Sequence, residues 1–595
     1  MIKELPRALR AARRRLLDIP EYEMISDFEW LSKMQRWSLH FRLNLSGIVH
    51  ANIPASQEWY ALVDDRFPHG HIIICPATDN GINATFQHQM FNAPSKDGPW
   101  REGVICVNTS LNKWGRKELT NEPVDDEDKL GWHVQRTVDW LKAAATDSLV
   151  NPGEPFELPC LPPTKQQEIV IFCEGTEMLA TWQQSAERSG IAQLKPVGDE
   201  RYIIEAFGDK QGSVKYRWGK YIGDKTTSSV RGLWVRFNRV PTMYPYQLPQ
   251  TWAELLDVAD KQHIPLYELL VEQLKQCKSV HPTFILLGFP IPAIYGGADH
   301  SMYWMAVRMP ELPPTKGFRN LRRVSDHQLK ALFQRGAALK WCVSQNWHRD
   351  EISTRGKLSK AMSDAKLVII GAGAVGSSLS EILVRLGMEH LTILDGETLT
   401  AGNLCRHTLS LTDIRYAKAR RLADRLNSLS PHVKAEYRAE TLQQVLQREP
   451  SIFTDSTLVI DTTGNDDVIY QLAANGTLED KQVFSISLGL EANRLYCYGG
   501  VLQKDKYFAE RFFSALQPWL LKDQQQASLE AMPREGIGCW HPVFPARYDD
   551  LLLLLNAVIR EIERRIEELT ALKFVVIEKQ VDASGNFVGI TLIRE

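Results

Sequence analysis

The chain has 595 residues, and its 70 Lys and Arg side chains nearly balance 72 Asp and Glu side chains, which leaves a formal charge of −2. Its length predicts roughly four domains, and the near-neutral charge gives no reason to expect a nucleic-acid partner. No apolar run approaches the ~18 residues that a membrane span needs, and the N-terminus is arginine-rich with no apolar signal region. We therefore expect a cytoplasmic protein with no membrane partner.

The nine cysteines are widely spread. No two of them lie within four residues of each other, which argues against the paired-cysteine zinc sites of ribbons and fingers. An odd number in a cytoplasmic chain predicts free thiols and not a disulfide framework. Most should be buried and inert, while one or two could act as nucleophiles.

The first segment has an α+β pattern. It opens with LPRALRAARRRLLDIP, whose apolar residues recur at helical spacing and leave a basic, solvated face. Two strand-like runs follow, HIIICPA and GVICVN, and the second contains Cys106. The stretch GWHVQRTVDWLKAAA then predicts a helix.

Two proline-rich stretches, residues 151–165 and 309–317, interrupt regular structure and indicate boundaries. Between them lie the strand candidates EIVIFC, GLWVRFN, FILLGF and YWMAVRM and the helix candidate WAELLDVADKQ, with no glycine fingerprint. We place an N-terminal domain, a proline-rich linker, a central α/β domain and a C-terminal domain, at residues 1–155, 156–167, 168–335 and 336–595.

The C-terminal domain contains a βαβ unit: the strand AKLVII, the turn GAGAVG, the helix SSLSEILVRLG and the strand HLTILDG. This unit predicts a parallel sheet with right-handed crossovers. Gly371 permits the turn, Gly373 lets the backbone approach a ligand, and Gly376 lets the helix pack on the strand. Asp395 ends the next strand at the spacing of an acid that binds a ribose. The pattern predicts a nucleotide site, and beyond it the leucine run Leu551–Leu555 predicts an amphipathic helix, followed by a terminal hairpin.

Three polar residues after Asp395 favour a triphosphate over a nicotinamide nucleotide. Asn403, Arg406 and Lys418 follow the acid in order, and the two cations suit phosphate oxygens. The alternative for Lys418 is a solvated helix residue beside two arginines.

The run from the glycines to Lys418 resembles the adenylation domain of ubiquitin-activating enzymes and of MoeB and ThiF. The resemblance implies ATP and Mg²⁺, with a protein C-terminal carboxylate attacking the α-phosphate. It also implies that Arg349, before the glycines, reaches the ATP of a partner subunit. The sequence departs from the family pattern at three positions, Glu397, His407 and Gly464.

The third departure affects the metal. Gly464 stands where the family has a Mg²⁺-binding aspartate, so Asp461 is the candidate ligand, with Asp466 or Asp467 as alternatives.

Cys539 resembles the thioester cysteine of ubiquitin-activating enzymes. Phe544 and Pro545 follow it in a C-x-x-x-x-F-P arrangement, although Trp540 replaces the usual threonine. A nucleophilic thiolate needs an electropositive setting, which His541 and Arg547 could supply. The alternative is a buried loop thiol.

The first domain resembles ubiquitin-conjugating enzymes in the spacing of Gly103, Cys106 and Trp114. Cys106 would then be the acyl acceptor, and core packing is the alternative. The His-Pro-Asn triplet that such enzymes carry is absent. The sequence offers His88, Asn92 and Asn108 as substitutes for oxyanion stabilisation or positioning, besides backbone N–H groups.

The order of domains resembles the fusions of activating and conjugating enzymes found in bacterial CBASS anti-phage operons. The resemblance implies a relay from adenylate to Cys539, to Cys106 and then to a lysine of a target protein. The implied cargo is a cGAS-like nucleotidyltransferase (a CD-NTase). The resemblance further implies an inactive, degenerate adenylation fold in the centre of the chain and a homodimer.

Two rival hypotheses remain. An NAD-dependent oxidoreductase would account for the glycine motif and Asp395 alone. A non-catalytic scaffold would account for the missing His-Pro-Asn triplet and the missing metal aspartate.

Overall fold

The computed structural model describes residues 3–107, 122–123, 127–163, 168–208, 214–224, 228–277, 282–311, 332–503, 508–526, 534–535, 541–542 and 545–594. The chain divides into two compact units. The first comprises residues 1–216 and 227–346, and the second comprises residues 217–226 and 347–595. Within the described ranges, no helix is both long and apolar enough to cross a membrane.

The first unit opens with an antiparallel four-stranded sheet whose strands pair in chain order, covered by two helices. Its elements are α1 (Arg7–Arg15), β1 (Tyr22–Leu31), β2 (Arg36–Asn44), β3 (Ser56–Asp64), β4 (Ile72–Pro76) and α2 (Asp128–Ala145). Leu9 and Ala12 lie on the buried face of α1, while its arginines face outward. They pack with alternate residues of β2, such as Leu39 and Phe41, because side chains of a strand point to opposite faces in turn.

The structure confirms both predicted helices and the HIIICPA strand of this part, but it corrects the prediction for GVICVN. Its described residues, 103–107, do not form a regular strand. Among them only Ile105 forms a bridge, an isolated antiparallel one with Gln89. Cys106 follows directly after it.

The rest of the first unit is built around a mixed sheet. Its strands are β5 (Ile169–Phe172), β6 (Ser189–Gly198), β7 (Arg201–Phe207), β8 (Val214–Lys215), β9 (Val230–Arg236), β10 (Phe284–Pro292), β11 (Asp299–Arg308) and β12 (Trp341–Asn346). Its helices are α3 (Thr176–Gln184), α5 (Trp252–Lys261) and α6 (Leu266–Gln276), and a short α4 (Lys220–Gly223) between them in sequence belongs to the second unit.

The strand order is β5-β12-β11-β10-β9-β6-β7-β8, and β5 also pairs with β7. Seven strands therefore close into a ring, with β8 attached to β7. The pairings β9–β10, β5–β12 and β5–β7 are parallel, and the others are antiparallel. The four strands predicted for this region and its helix are confirmed.

The two faces of the ring differ in chemistry. Alternate residues of β9, such as Leu233 and Val235, pack with residues of α5 and α6. On the opposite face Trp182, Phe207, Trp234 and Trp304 form an aromatic cluster. A carboxylate, Glu174, is buried beside this cluster.

Glu174 accepts three hydrogen bonds through Oε1. The donors are Trp182 Nε1 at 2.8 Å, Trp304 Nε1 at 3.0 Å and Tyr216 Oη at 2.7 Å. Burial nevertheless raises the pKa of Glu174 to about 7, because the desolvation of the charged form outweighs these donors.

The second unit contains an eight-stranded sheet in the order β15-β14-β13-β16-β17-β18-β21-β22, and a separate pair, β19–β20. These strands are β13 (Lys366–Ile370), β14 (His390–Leu394), β15 (Lys434–Arg438), β16 (Leu458–Asp461), β17 (Gln482–Leu488), β18 (Arg494–Val501), β19 (Arg534–Glu535), β20 (His541–Pro542), β21 (Lys573–Val581) and β22 (Phe587–Arg594). Pairing is parallel from β15 to β17 and antiparallel from there to β22.

Helices cover both faces of this sheet, as its apolar central strands require. They are α7 (Arg349–Ile352), α8 (Lys360–Ser363), α9 (Ala374–Arg385), α10 (Lys418–Asn427), α11 (Leu442–Arg448), α12 (Ser451–Asp455), α13 (Asp466–Ala474), α14 (Phe508–Gln526) and α15 (Tyr548–Glu568). The predicted βαβ unit, the leucine-rich helix and the terminal hairpin are all confirmed.

In the strand order, β13 lies between β14 and β16. The chain therefore adds β14 and β15 on one side of β13 and then β16 and β17 on its other side. In parallel sheets such a reversal opens a crevice at the carboxyl ends of the strands, where ligands bind. Ile370, Leu394 and Asp461 end these three strands at the same edge.

Candidate active sites

The glycine loop lies at the carboxyl end of β13 and leads into α9. Gly371 has a φ of +93°, a conformation that other residues rarely adopt. A Cβ atom on Gly376 would collide with the carbonyl oxygen of Gly371 and lie 2.6 Å from Thr462 Oγ1. A Cβ atom on Gly373 would meet nothing within 4 Å, so the space before the N-terminus of α9 is open. This is the cradle that a phosphate group requires.

Asp395 follows β14 and braces the loop. Its Oδ2 accepts a hydrogen bond from the N–H of Ala372 at 2.6 Å, and its Oδ1 accepts one from the N–H of Glu397 at 2.7 Å. Burial raises the pKa of Asp395, although these bonds and the charge of Lys418 act against the rise. Each carboxylate oxygen keeps a further lone pair for a ribose hydroxyl group.

Lys418, the first residue of α10, is buried with only 6% of its surface exposed. Its Nζ lies 2.6 Å from Oε2 of Glu397, and its charge acts on Asp395. The alternative of a solvated helix residue is therefore wrong. Glu397 is 75% exposed, so the buried cation is paired with a carboxylate at the surface.

The segment between Asp395 and Lys418 contains a 3₁₀ helix, Ala401–Arg406. Asn403 Oδ1 accepts hydrogen bonds from Thr400 N and Oγ1, both at 3.1 Å, and so caps this helix. Arg406 lines a cavity of about 580 Å³ together with residues Gly402, Cys405, Glu491, Asn493, Pro545, Ala546, Arg547, Asp550 and Lys579. Three of these lining residues are cationic and two are acidic, and Lys579 Nζ lies 2.8 Å from Oδ2 of the acidic Asp550.

His407 is a site residue whose role the sequence reasoning missed. Its Nε2 lies 2.7 Å from the carbonyl oxygen of Ala372, and its Nδ1 accepts the N–H of Leu409 at 3.1 Å. Nε2 therefore carries the proton and donates it to the glycine loop. Burial lowers the pKa of His407, which keeps the ring neutral. The signal was its position directly after Arg406, where the family has glutamine.

Asp461 ends β16 and is fully buried. Its Oδ1 accepts hydrogen bonds from Thr463 N at 2.9 Å and Oγ1 at 2.7 Å, and its Oδ2 accepts one from Ser485 Oγ at 2.8 Å. Its carboxyl group is completely enclosed by protein, so in this conformation it has no space for a Mg²⁺ ion and does not fit one. Asp466 and Asp467, at the start of α13, are exposed. No cluster of three or more candidate metal ligands occurs within the described ranges.

Arg349 lies away from the glycine loop of its own chain. Its Nη2 donates to Asp364 Oδ1 at 2.8 Å, and its Nη1 lies 3.9 Å from Glu389 Oε1. Both acids precede strands of the sheet, at the edge opposite to the glycine loop. The geometry thus leaves Arg349 no route to its own nucleotide site.

Cys106 is exposed, and its N–H donates to the carbonyl oxygen of His88 at 2.8 Å. A Cβ atom on Gly103 would collide with the side chain of Asn92, which explains the glycine. The exposure of the thiol argues against the core-packing alternative.

Asn92 does not replace the missing asparagine. Its Nδ2 donates to the carbonyl oxygens of Ile82 at 2.8 Å and Ala84 at 2.9 Å, and Arg101 Nε donates to its Oδ1 at 3.0 Å. The side chain is buried and its bonding groups are engaged, so it is a structural residue. Asn108, Trp114 and Cys539 lie outside the described residues.

The crevice, the glycine loop, the ribose acid and the buried lysine define the class of the C-terminal part: it is a ThiF-type adenylating domain. Residues 347–495 match the ThiF family, and residues 147–347 match the Cap2 central linker domain. The central linker domain and the ThiF domain match the CBASS-associated fusions named above, and the chain is an activating, adenylating enzyme of the ubiquitin-like class.

Over 577 residues, the chain is 29% identical to the "ATP-dependent ubiquitin transferase-like protein Cap2" of Enterobacter hormaechei subsp. hoffmannii, covering 93% of each protein. It is 30% identical over 116 residues to the molybdopterin-synthase adenylyltransferase of Escherichia coli, covering 19% of this chain and 46% of that protein. Among solved structures, Escherichia coli MccB with ATP matches at 14% identity and a TM-score of 0.25, covering 40% of this chain and 64% of that one. The structure of PaaA matches at 17% identity and a TM-score of 0.29, covering 40% of this chain and 74% of that one.

Proposed function

We propose that the chain attaches the C-terminus of a partner protein to a lysine of a target protein in an ATP-dependent relay. The terminal carboxylate attacks the α-phosphate of ATP, and pyrophosphate leaves. The Cys539 thiolate attacks the acyl adenylate and releases AMP. The Cys106 thiolate takes the acyl group by thioester exchange, and a lysine amine displaces it to form an isopeptide bond.

The observation that carries this proposal is the grouping of the open glycine loop, Asp395 and buried Lys418 at one edge of the sheet, in a chain that also exposes Cys106. A cation at the crevice suits the triphosphate of ATP and not the nicotinamide of the rival oxidoreductase. An exposed thiol suits acyl transfer, which a non-catalytic scaffold would not need.

We further propose the finer assignments that the resemblance implied. ATP binds with Gly371, Gly373, Gly376, Asp395, Asn403, Arg406 and Lys418. Mg²⁺ binds through Asp466 or Asp467, the exposed acids at the start of α13, and not through the buried Asp461. The cargo is a cGAS-like nucleotidyltransferase. Arg349 acts in the nucleotide site of a second copy, so the working form is a homodimer. The central domain is a degenerate adenylation fold that has no reaction of its own.

The test is to trap the intermediates in the full chain, co-expressed with its neighbouring genes. Cys106→Ala should accumulate a thiol-sensitive adduct on Cys539. Cys539→Ala should carry no adduct on Cys106, yet it should retain exchange of pyrophosphate into ATP. Cys405→Ala should leave both adducts in place, because Cys405 is an exposed thiol that the relay does not use as an acyl carrier. Since Cys405 lines the cavity beside Arg406, its pyrophosphate exchange is measured in parallel.

The outcomes separate the hypotheses. Absence of a thiol-sensitive adduct on either cysteine of the wild type, with intact pyrophosphate exchange, would reject the relay and leave only adenylation. If the wild type also fails to exchange pyrophosphate into ATP and shows absorbance that depends on a nicotinamide nucleotide, the oxidoreductase hypothesis is supported.

A further inference from the structure

The backbone of His88 lies next to that of Cys106 in the first unit. The segments 88–90 and 104–106 run antiparallel, with Met90 N donating to Val104 O at 2.9 Å and Cys106 N donating to His88 O at 2.8 Å. His88 and Cys106 are therefore directly opposite each other across this short ladder. This hydrogen bond brings the two backbones into direct contact, so the imidazole ring of His88 and the thiol of Cys106 branch from adjacent backbone positions.

Glu157 holds His88 in place. Its Oε2 accepts a hydrogen bond from the backbone N–H of His88 at 3.3 Å and lies 3.2 Å from His88 Nδ1. Because Nδ1–H faces the carboxylate, the lone pair of the neutral ring belongs to Nε2. A thiol, an imidazole and an orienting carboxylate in this order form the arrangement in which a histidine works as a general base.

Glu157 is itself positioned by the part of the chain around the mixed sheet. The hydroxyl group of Tyr246 donates to the carbonyl oxygen of Glu157, and Tyr295 Oη donates to the same oxygen at 3.3 Å. Phe156 N donates to Ala293 O at 3.1 Å. The proline-rich segment thus packs on the central domain at the point where it contacts His88. His88, this segment and the central domain all belong to one compact unit.

The charges around His88 favour its protonated form. Glu157 raises the pKa of His88, with a smaller contribution from Glu154. His88 in turn lowers the pKa of Glu157. The ring remains partly exposed, with 31% of its side-chain surface accessible, so a substrate amine can reach it.

We propose that His88, oriented by Glu157, is the general base that accepts the proton of the attacking lysine amine at Cys106. The lysine nitrogen forms a bond to the thioester carbonyl carbon, the C–S bond breaks, and Cys106 leaves as a thiolate. The proton moves from the nitrogen to His88 Nε2. This inference rests on the proposed relay, and it assigns to the central domain the task of completing the conjugating site through Glu157.

The experiment measures discharge of the thioester from Cys106 in the full chain, co-expressed with its neighbouring genes, with free lysine as the acceptor. His88 has a φ of +55°, which asparagine tolerates and alanine does not, so His88→Asn removes the base without straining the backbone. We expect normal loading of Cys106 and a discharge rate to lysine that is lower by about 100-fold. His263→Asn is the matched control, because His263 also has a positive φ, of +58°, and is exposed.

Three readouts distinguish a base from a structural residue. In the wild type the discharge rate should rise with pH as His88 loses its proton, and His88→Asn should lose this rise. In Glu157→Gln the rise should move to lower pH, because the neighbouring negative charge is gone. Hydroxylamine is largely neutral at pH 7 and needs no base, so it should discharge the wild type and His88→Asn at similar rates.

A loaded His88→Asn variant that transfers to lysine at the wild-type rate would overturn the inference while the relay stands. A loaded variant that loses lysine and hydroxylamine discharge equally would also overturn it, because a base cannot explain both losses. A wild type that never loads Cys106 would instead reject the relay itself.

Discussion

His407 and the carbonyl oxygen of Ala372 are joined by a hydrogen bond of 2.7 Å, which ties the segment after Asp395 to the glycine loop. Both groups are buried, so the loop shape depends on a neutral ring at this position. The residue that differs from the family pattern is thus a support of the nucleotide site.

The first prediction concerns this bond and pH. Burial lowers the pKa of His407 below the 6.5 of a free ring, so the native state binds fewer protons than the unfolded state. Its contribution to stability is complete above pH 6.5 and is lost as the pH falls through the lower, native pKa. We expect His407→Gln to keep the hydrogen bond and to weaken this acid sensitivity. His407→Ala should destabilise the second unit by about 1–3 kcal/mol at pH 7.5, because a buried carbonyl group loses its donor.

Denaturant unfolding at a series of pH values tests these two variants. His69→Gln controls for the loss of a histidine elsewhere in the chain. A wild type and a His407→Gln variant with identical pH dependence would contradict the prediction.

The second prediction separates two glycines of the loop. Gly373→Ala should fold normally, since its backbone suits alanine and its Cβ atom meets no protein atom, but it should bind ATP more weakly because the methyl group enters the phosphate space. Gly376→Ala should destabilise the unit by about 1–3 kcal/mol or more, because its Cβ atom would collide with the backbone of Gly371. Thermal unfolding and ATP titration distinguish the two effects.

Gly476→Ala is the control for the glycine pair, since Gly476 is exposed and its Cβ atom would also meet nothing within 4 Å. If Gly373→Ala binds ATP as the wild type does, the loop is not the phosphate cradle.

The third prediction concerns the buried cation. Lys418→Gln should lower pyrophosphate exchange into ATP by about 100-fold, because a positioned charge at the transferring phosphate is lost. Arg420→Gln, two residues further along the same helix and exposed, should exchange as the wild type does. Equal rates in the two variants would show that Lys418 only neutralises Glu397.

The fourth prediction concerns Glu174 in the central domain. Its pKa of about 7 lies above the value of 4.5 for a free carboxyl group, so the native state binds more protons between these two pH values. Stability should therefore fall as the pH rises from about 5 to 8. Glu174→Gln removes the buried charge and should raise stability at pH 8 by at most about 3 kcal/mol, with little effect at pH 5.

Glu268→Gln is the matched control for Glu174, since Glu268 is an exposed glutamate at the start of α6 and is not among the groups that shift the pKa of Glu174. The measurement is the unfolding of the first unit followed by tryptophan fluorescence, because Trp182 and Trp304 contact Glu174 directly. The free energy of unfolding of Glu174→Gln is compared with that of the wild type at each pH. A smaller gain in stability at pH 8 than at pH 5 would contradict this prediction.

Local patterns in the sequence determined the parts of this protein that depend on near neighbours. The βαβ unit, the amphipathic helices and the terminal hairpin follow from hydrophobic periodicity and turn residues, which act within a few residues of each other. The glycine loop and Asp395 were also predictable, because a tight turn and the strand after it constrain residue types at short range.

Only the tertiary structure decided what depends on distant segments. The pairing of β5 with β7, which closes the ring, and the hydrogen bond from Ser485 to Asp461 each join residues far apart in sequence. Likewise, nothing in the neighbourhood of Cys106 in sequence predicts that Glu157 meets His88, because that contact forms only when the proline-rich segment packs on the central domain. Hydrogen bonds and burial between distant segments decide which candidate side chains are engaged in structure and which remain accessible for chemistry.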